Sequence, residues 1–233
     1  MIKIVCLKWG DKYGSEYVNR LYNGIKRNTS LPFELHCFTD DDKNIVQDVI
    51  THNLPYSTTI ASWWNKIWLF SDEVPFKKGE RIFYLDLDTL ITGNIDNLLL
   101  DNTGGLVMLQ DFYWGLAKSA TQSASGVMSW ECGSFSHLWT SFISDPESAI
   151  ESVAPHGDQV FIGNTLKNSI KYWQDLHPQQ IVSFKVHCSA GLPESAKIVC
   201  FHGEPSIPDS ATKRWKSWKY QADPQPWVLD YWK

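Results

Sequence analysis

The chain has 233 residues, a formal net charge of −5, 43% hydrophobic and 20% charged residues, which suits a globular protein long enough for one full core. The acidic balance excludes non-specific nucleic-acid binding, which needs a basic surface, and no apolar run reaches the ~18–20 residues that span a bilayer. The opening Met1-Ile2-Lys3-Ile4-Val5-Cys6-Leu7 is strand-like and too short for a signal h-region, so the expectation is a cytoplasmic protein with a single domain over residues 1–233.

In chain order, Lys3 to Leu7 reads as a buried strand. Val18, Leu21, Tyr22 and Ile25 follow at i, i+3, i+4, i+7, which predicts a helix with Ser15 as its N-cap. Phe33 to Phe38 reads as a second strand ending in the acidic turn Asp40-Asp41-Asp42, expected to be solvated. A strand–helix–strand opening implies a parallel sheet. Ala61 to Phe70 is aromatic-rich and expected to be helical, with Trp64, Ile67 and Trp68 on one stripe. Arg81 to Leu87 is the near-continuous apolar run of a central strand buried on both faces. Gly105 to Leu109 and Ser125 to Trp130 read as strands. Phe135, Leu138, Trp139 and Phe142 have helical spacing, and Gly157 to Leu166 reads as a further helix. Ile170–Trp173 and Lys197–Phe201 are strand-like. From Pro205 onward the chain is rich in Pro and Trp without periodicity, so 205–233 is expected to pack on the domain as a tail. The five cysteines, odd in number and without a CxxC pair, read as reduced core residues. Twelve tryptophans serve mostly as core, though indole faces also stack on sugars and bases. The fold class is α/β.

The chemistry centres on Tyr84-Leu85-Asp86-Leu87-Asp88-Thr89, at the end of the central strand. Side chains two apart on a strand share a direction, so Asp86 and Asp88 converge while Leu87 points into the core. Two unneutralised carboxylates at a buried strand end are costly, and a hard divalent cation such as Mg²⁺ or Mn²⁺ removes that cost. In open α/β sheets ligands bind beyond the carboxyl ends of the strands, where this pair falls.

The stretch from Tyr84 through Asp88-Thr89-Leu90-Ile91-Thr92-Gly93-Asn94-Ile95-Asp96-Asn97-Leu98 resembles the retaining glycosyltransferases of family 8, typified by glycogenin and the bacterial galactosyltransferases. Four more segments fall in that family's order. Leu7-Lys8-Trp9-Gly10-Asp11-Lys12-Tyr13 resembles its uracil and ribose loop, and Trp64-Asn65-Lys66-Ile67-Trp68 the helix whose lysine approaches the donor. Gly157-Asp158-Gln159 is similar to the Asp-Gln element beside the donor sugar, and Cys200-Phe201-His202-Gly203 to the late strand whose histidine completes a metal site. The resemblance implies a Rossmann-like GT-A fold with a mostly parallel sheet flanked by helices, a UDP-hexose donor, a hydroxyl acceptor and a Mn²⁺ or Mg²⁺ ion. It implies metal ligation by Asp86, Asp88 and His202, donor contacts from Leu7, Trp9, Tyr13, Lys66, Asp86, Leu87, Ser125 and Gly203, and catalytic roles for Asp158 and Gln159.

Two segments depart from the family. Ala124-Ser125-Gly126-Val127 stands where relatives have Asn-Ser-Gly-Val, and His202-Gly203-Glu204-Pro205 where they have a lysine after the glycine. A diphosphate contact would then come from elsewhere, with Lys213 the candidate, and Glu204 would face solvent, Lys213 or Arg214, or an acceptor. The competing readings are a non-catalytic sugar-nucleotide binder and a metal-dependent nucleotidyltransferase or phosphohydrolase using the same carboxylates.

Overall fold

The computed structural model describes residues 1–60, 62–117, 121–217 and 220–233. The opening unit is β1 (Ile2–Lys8), α1 (Ser15–Asn28), β2 (Phe33–Thr39) and β3 (Ile50–Asn53). A 3₁₀ helix (Ser62–Phe70) leads into β4 (Arg81–Leu85), β5 (Thr89–Ile91) and α2 (Asp96–Leu99). The middle holds β6 (Leu106–Gln110), β7 (Ser123–Glu131), α3 (Ser136–Ser144), α4 (Pro146–Glu151), α5 (Asp158–Leu166) and β8 (Ile170–Tyr172). The last part holds α6 (Trp173–Leu176), β9 (Ile181–Ser183), α7 (Phe184–His187), β10 (Ile198–Cys200), α8 (Ile207–Thr212), β11 (Trp215–Lys216), β12 (Gln221–Ala222) and α9 (Val228–Tyr231).

The main sheet has seven strands in the order β3-β2-β1-β4-β7-β6-β8. It is mostly parallel, and β7 runs antiparallel to both of its neighbours. Alternation along β1 explains the layering: Ile4 and Cys6 join the core that includes Val18, Leu21 and Ile25 of α1, while Val5 and Leu7 join the core of Trp64, Ile67, Trp68 and Phe142. Both faces of the sheet are therefore buried, which is why its strands read as continuous apolar runs. All five cysteines are buried and free. No helix among the described residues is long and apolar enough to cross a membrane.

Several boundaries differ from expectation. Ser15 is the first residue of α1 and not its cap; Gly14 holds that position, without a side-chain hydrogen bond. The aromatic helix is 3₁₀ from Ser62, and Ala61 lies outside the described residues. Trp173 opens α6 and does not extend β8. The segment after Pro205 forms α8, a two-stranded ribbon and α9, and it contributes Ile207, Ala222, Val228 and Trp232 to the core. Its far end is tied down by Arg27, which donates to the carbonyls of Tyr231 and Lys233.

A second sheet, β5-β10-β9, matters most for the site. β10 runs antiparallel to β5 with Cys200 opposite Thr89. Continuing that register carries Phe201 to Asp88, where its N–H donates to the Asp88 carbonyl at 3.0 Å. His202 therefore emerges beside the aspartate pair.

Asp96 has a structural task. Its carboxylate accepts from Thr29 Oγ1 (2.5 Å), Ser30 Oγ (2.6 Å), Ser30 N (3.0 Å) and Asn94 Nδ2 (3.2 Å), pinning the exit of α1 to the turn after β5. The Ser30 and Thr29 hydrogen bonds lower its pKa to about 2. Asp96→Ala is expected to cost roughly 1–2 kcal/mol at neutral pH, discounted for partial exposure. Because the folded pKa is depressed, the difference should persist above about pH 4 and vanish as pH falls through about 2. Urea unfolding of both proteins across that range checks it.

Candidate active site

The antiparallel register of β4 with β7 sets Leu85 opposite Val127. One step further, Asp86 N–H donates to the Gly126 carbonyl at 2.9 Å, and a Cβ on Gly126 would lie 3.4 Å from Asp86 Oδ2. The strand ends here, and the chain turns through Asp86 to Asp88 into β5. Asp86 and Asp88 both line a cavity of about 440 Å³, together with Lys66, Ser125, Asp158, Gln159 and His202.

Lys66 is the electrostatic hub of this cavity. Its Nζ lies 3.0 Å from Asp86 Oδ1 and 3.6 Å from Asp158 Oδ2. It donates to Ser125 Oγ at 3.0 Å and sits 5.0 Å from the centre of the Tyr84 ring. Lys66 and Asp158 are 4% and 3% exposed, so their ion pair is a desolvated one, while Asp86 is partly open to solvent. Burial pushes the Lys66 pKa down, but the charges of Asp158 and Asp86 outweigh it and the net shift is upward. Asp158 is held above the ordinary carboxylate range by burial, against the pull of Lys66. Asp158 Oδ2 accepts no hydrogen bond among the described residues and is balanced by the ion pair alone. Asp158 is the first residue of α5, and Gly157 before it is the N-cap. A Cβ on Gly157 would lie 2.6 Å from Trp63 Nε1, so glycine is required there for Trp63 to reach the rim. Gln159 donates to Thr121 Oγ1 at 3.4 Å.

Asp88 joins three segments. Tyr13 OH donates to its Oδ2 at 3.0 Å and Gly203 N–H at 3.1 Å. Burial first, and the Asp86 charge second, raise its pKa. His202 has φ of 37°, its Nε2 hydrogen-bonds Ser183 Oγ at 2.7 Å, and its carbonyl accepts from Lys185 Nζ at 2.9 Å. Its ring stacks on Phe112 at 5.8 Å. Burial, then the charge of Lys185, lower its pKa to about 3, so the imidazole is neutral near pH 7, the form that can donate a lone pair.

Of the remaining residues proposed from sequence, Leu7 and Leu87 are buried in the core, at 6% and 2% exposure, and Trp9 packs against the Trp64 core. None of these three lines the cavity. Glu204 is exposed, so it faces solvent. Lys213 is paired with Asp209 at 2.8 Å and Arg214 with Asp223 at 3.1 Å, which leaves Lys185 as the cation near His202. No signal in Ser183-Phe184-Lys185-Val186-His187 pointed to it. The cavity wall from Asp111 to Tyr113 was also missed, although aromatic residues directly after a strand are a detectable cue.

Among the described residues, no group of three or more His, Cys, Asp and Glu is arranged to hold a metal ion. The aspartate pair alone fits one chemically. Its oxygens are hard donors, and the Asp88 pKa is raised by burial first and by the Asp86 charge second, both of which a bound cation would offset. His202 is turned toward Ser183 and would have to exchange that partner to join.

No protein-family model and no curated protein sequence matches the chain. Solved structures do match it. The galactosyltransferase LgtC, in complex with donor and acceptor sugar analogs, superimposes with a TM-score of 0.65 at 12% identity, over 88% of this chain and 89% of that one. The fold is GT-A. The glycosyltransferase GlyE of Streptococcus pneumoniae TIGR4 gives 0.68 at 12% identity, over 100% of this chain, which spans 61% of GlyE. Mouse xyloside xylosyltransferase 1 gives 0.52 at 14% identity, over 88% of this chain and 98% of that one. In this GT-A chain the cavity lies at the carboxyl end of β4, on the sheet edge where open α/β folds bind ligands.

Proposed function

We propose that the protein is a glycosyltransferase that moves a hexose from a UDP-sugar to a hydroxyl acceptor with retention at the anomeric carbon. The observation that carries this reading is the convergence of Asp86, Asp88, Lys66, Asp158 and Gln159 on one cavity of a GT-A fold. In the reaction the bond from the anomeric carbon to the diphosphate oxygen breaks, and its electron pair stays on the diphosphate. The acceptor oxygen bonds the anomeric carbon, and its proton passes to the departing diphosphate. Negative charge therefore develops on the leaving group.

Asp86 and Asp88, with His202 once released from Ser183, would hold a Mn²⁺ or Mg²⁺ ion, which supplies Lewis-acid stabilisation of the diphosphate when bound. Lys66 adds a positive charge in a desolvated place, where it counts for more than in water. Ser125 and Gly126 wall the sugar side of the cavity, and Ser125 also holds Lys66 in place. The Lys66 charge favours the ionised form of Asp158 against burial, which disfavours it, and an anionic Asp158 would suit a sugar that gains positive character at its anomeric carbon. Gln159 contributes an amide at the same wall.

Calorimetric titration tests the reading. UDP should bind at least about tenfold more tightly with Mn²⁺ than with a chelator present, since Lys66 pairs only Asp86 of the two carboxylates and the remaining negative charge repels the diphosphate. Equal affinity in both conditions would remove the metal from this site.

A further inference from the structure

A second cavity, of about 740 Å³, adjoins the first and shares His156 and Gln159 with it. The Gln159 amide leans toward it, onto Thr121. Its walls come from the start of β7, from α5 and from the edge strand β8. In a chain of net charge −5, the described residues lining this cavity include no Asp or Glu and one lysine, Lys167. The rest is largely amide, hydroxyl and imidazole.

Two observations describe its lining. First, the side chains of Gln122, Asn164 and Lys167 are exposed and, among the described residues, form no hydrogen bond or ion pair, so they are open to a ligand. They are uncommitted donors and acceptors around a concave space. Second, Lys167 has φ of 45° and ψ of −117°, a conformation that glycine adopts freely and a side chain resists. Its N–H is fixed onto the Gly163 carbonyl, so the turn itself would be served better by glycine. A strained lysine that has no protein partner points to a task outside the protein.

We propose that this cavity is the acceptor subsite and that it takes a saccharide carrying a carboxylate or phosphate, set against Lys167. Neutral amides and hydroxyls (Gln122, Asn164, Tyr172) suit sugar hydroxyls. The absence of acidic lining leaves an anion unopposed, and Lys167 attracts it. The assignment rests on the glycosyltransferase reading, because Gln159 is the wall common to this cavity and the donor cavity.

The test is saturation-transfer NMR with D-glucose, D-glucuronate and D-glucose 6-phosphate as probes, on the wild type and on Lys167→Gly. At least one anionic sugar should bind about fivefold more tightly than glucose, the scale of one partly exposed charged contact, and which of the two does so identifies the anion. The preference should shrink in about 0.5 M salt. Lys167→Gly should abolish it while raising Tm, because the strained residue is gone, so unfolding cannot account for the loss. Glucose binding as well as both anions, or a preference that survives Lys167→Gly, overturns the proposal. UDP binding with Mn²⁺ is measured on the same wild-type sample. If UDP fails to bind, the glycosyltransferase reading falls, while the sugar titrations still decide whether the cavity selects anions.

Discussion

Lys66→Met is expected to lower stability by about 3–5 kcal/mol at pH 7, the scale for removing one partner of a buried ion pair. The methionine fills much of the lysine's volume, so the loss is electrostatic and not a cavity effect. Lys66 Nζ stands 3.0 Å from Asp86 and 3.6 Å from Asp158. Without it Asp158, which lacks a hydrogen bond to Oδ2, becomes a buried carboxylate with no counter-charge. Its pKa then rises further, and the sign of the pH dependence follows. A raised carboxylate pKa makes the folded state lose stability as pH rises from the unfolded value through the folded one. The deficit in Lys66→Met should therefore shrink as pH falls toward 4. A second variant, Lys66→Met with Asp158→Asn, should recover part of the loss, because the two sites share one interaction. Urea unfolding of the four members of this cycle measures it. A single-mutant loss under about 1 kcal/mol would mean that water or another cation already neutralises Asp158.

That hub was legible in part. Lys66 lies in the segment Trp64–Trp68 that resembles the family's lysine-bearing helix, and the Asp86–Asp88 pair marked the end of the central strand. The first βαβ unit and the buried central strand were also readable, because long apolar runs carry a strong period. The ion pair of Lys66 with Asp158 was not: the resemblance put Asp158 beside the donor sugar, but only the pairing of β4 with β7 and the packing of α5 bring it within an ion-pair distance of Lys66. Of the β5-β10-β9 sheet only β10 was legible, within the strand-like Lys197–Phe201, while β5 and β9 were not, for a related reason. Three-residue strands carry no usable period, yet their register is what delivers His202 to Asp88. Asp96 shows the converse. It belongs to the stretch that resembles family 8, but its hydrogen bonds go to the end of α1, so its place in that stretch reflects the architecture of the turn and not contact with a ligand.

Asp88→Asn is expected to lower turnover of a UDP-hexose by at least about 10³-fold, the scale for losing one main electrostatic stabiliser of a developing anion, while leaving the fold as stable or more so. Asparagine keeps an oxygen that can accept from Tyr13 OH and Gly203 N–H, which now share Asp88 Oδ2. What disappears is a carboxylate held above its usual pKa by burial and by Asp86. For such a group the cost of the charged form appears as pH rises through the raised value, so Asp88→Asn should gain on the wild type at pH 7 and match it below about pH 4. The two readouts separate roles that a single assay would confuse. Lost turnover with lost stability would make Asp88 a structural tie for the loop after β1 and for Gly203. Lost turnover with equal or greater stability, together with loss of the Mn²⁺-dependent gain in UDP affinity, assigns it to cation binding. Near-wild-type turnover in Asp88→Asn would place the cation on other ligands, and Asp86 with His202 would then be the pair to vary next.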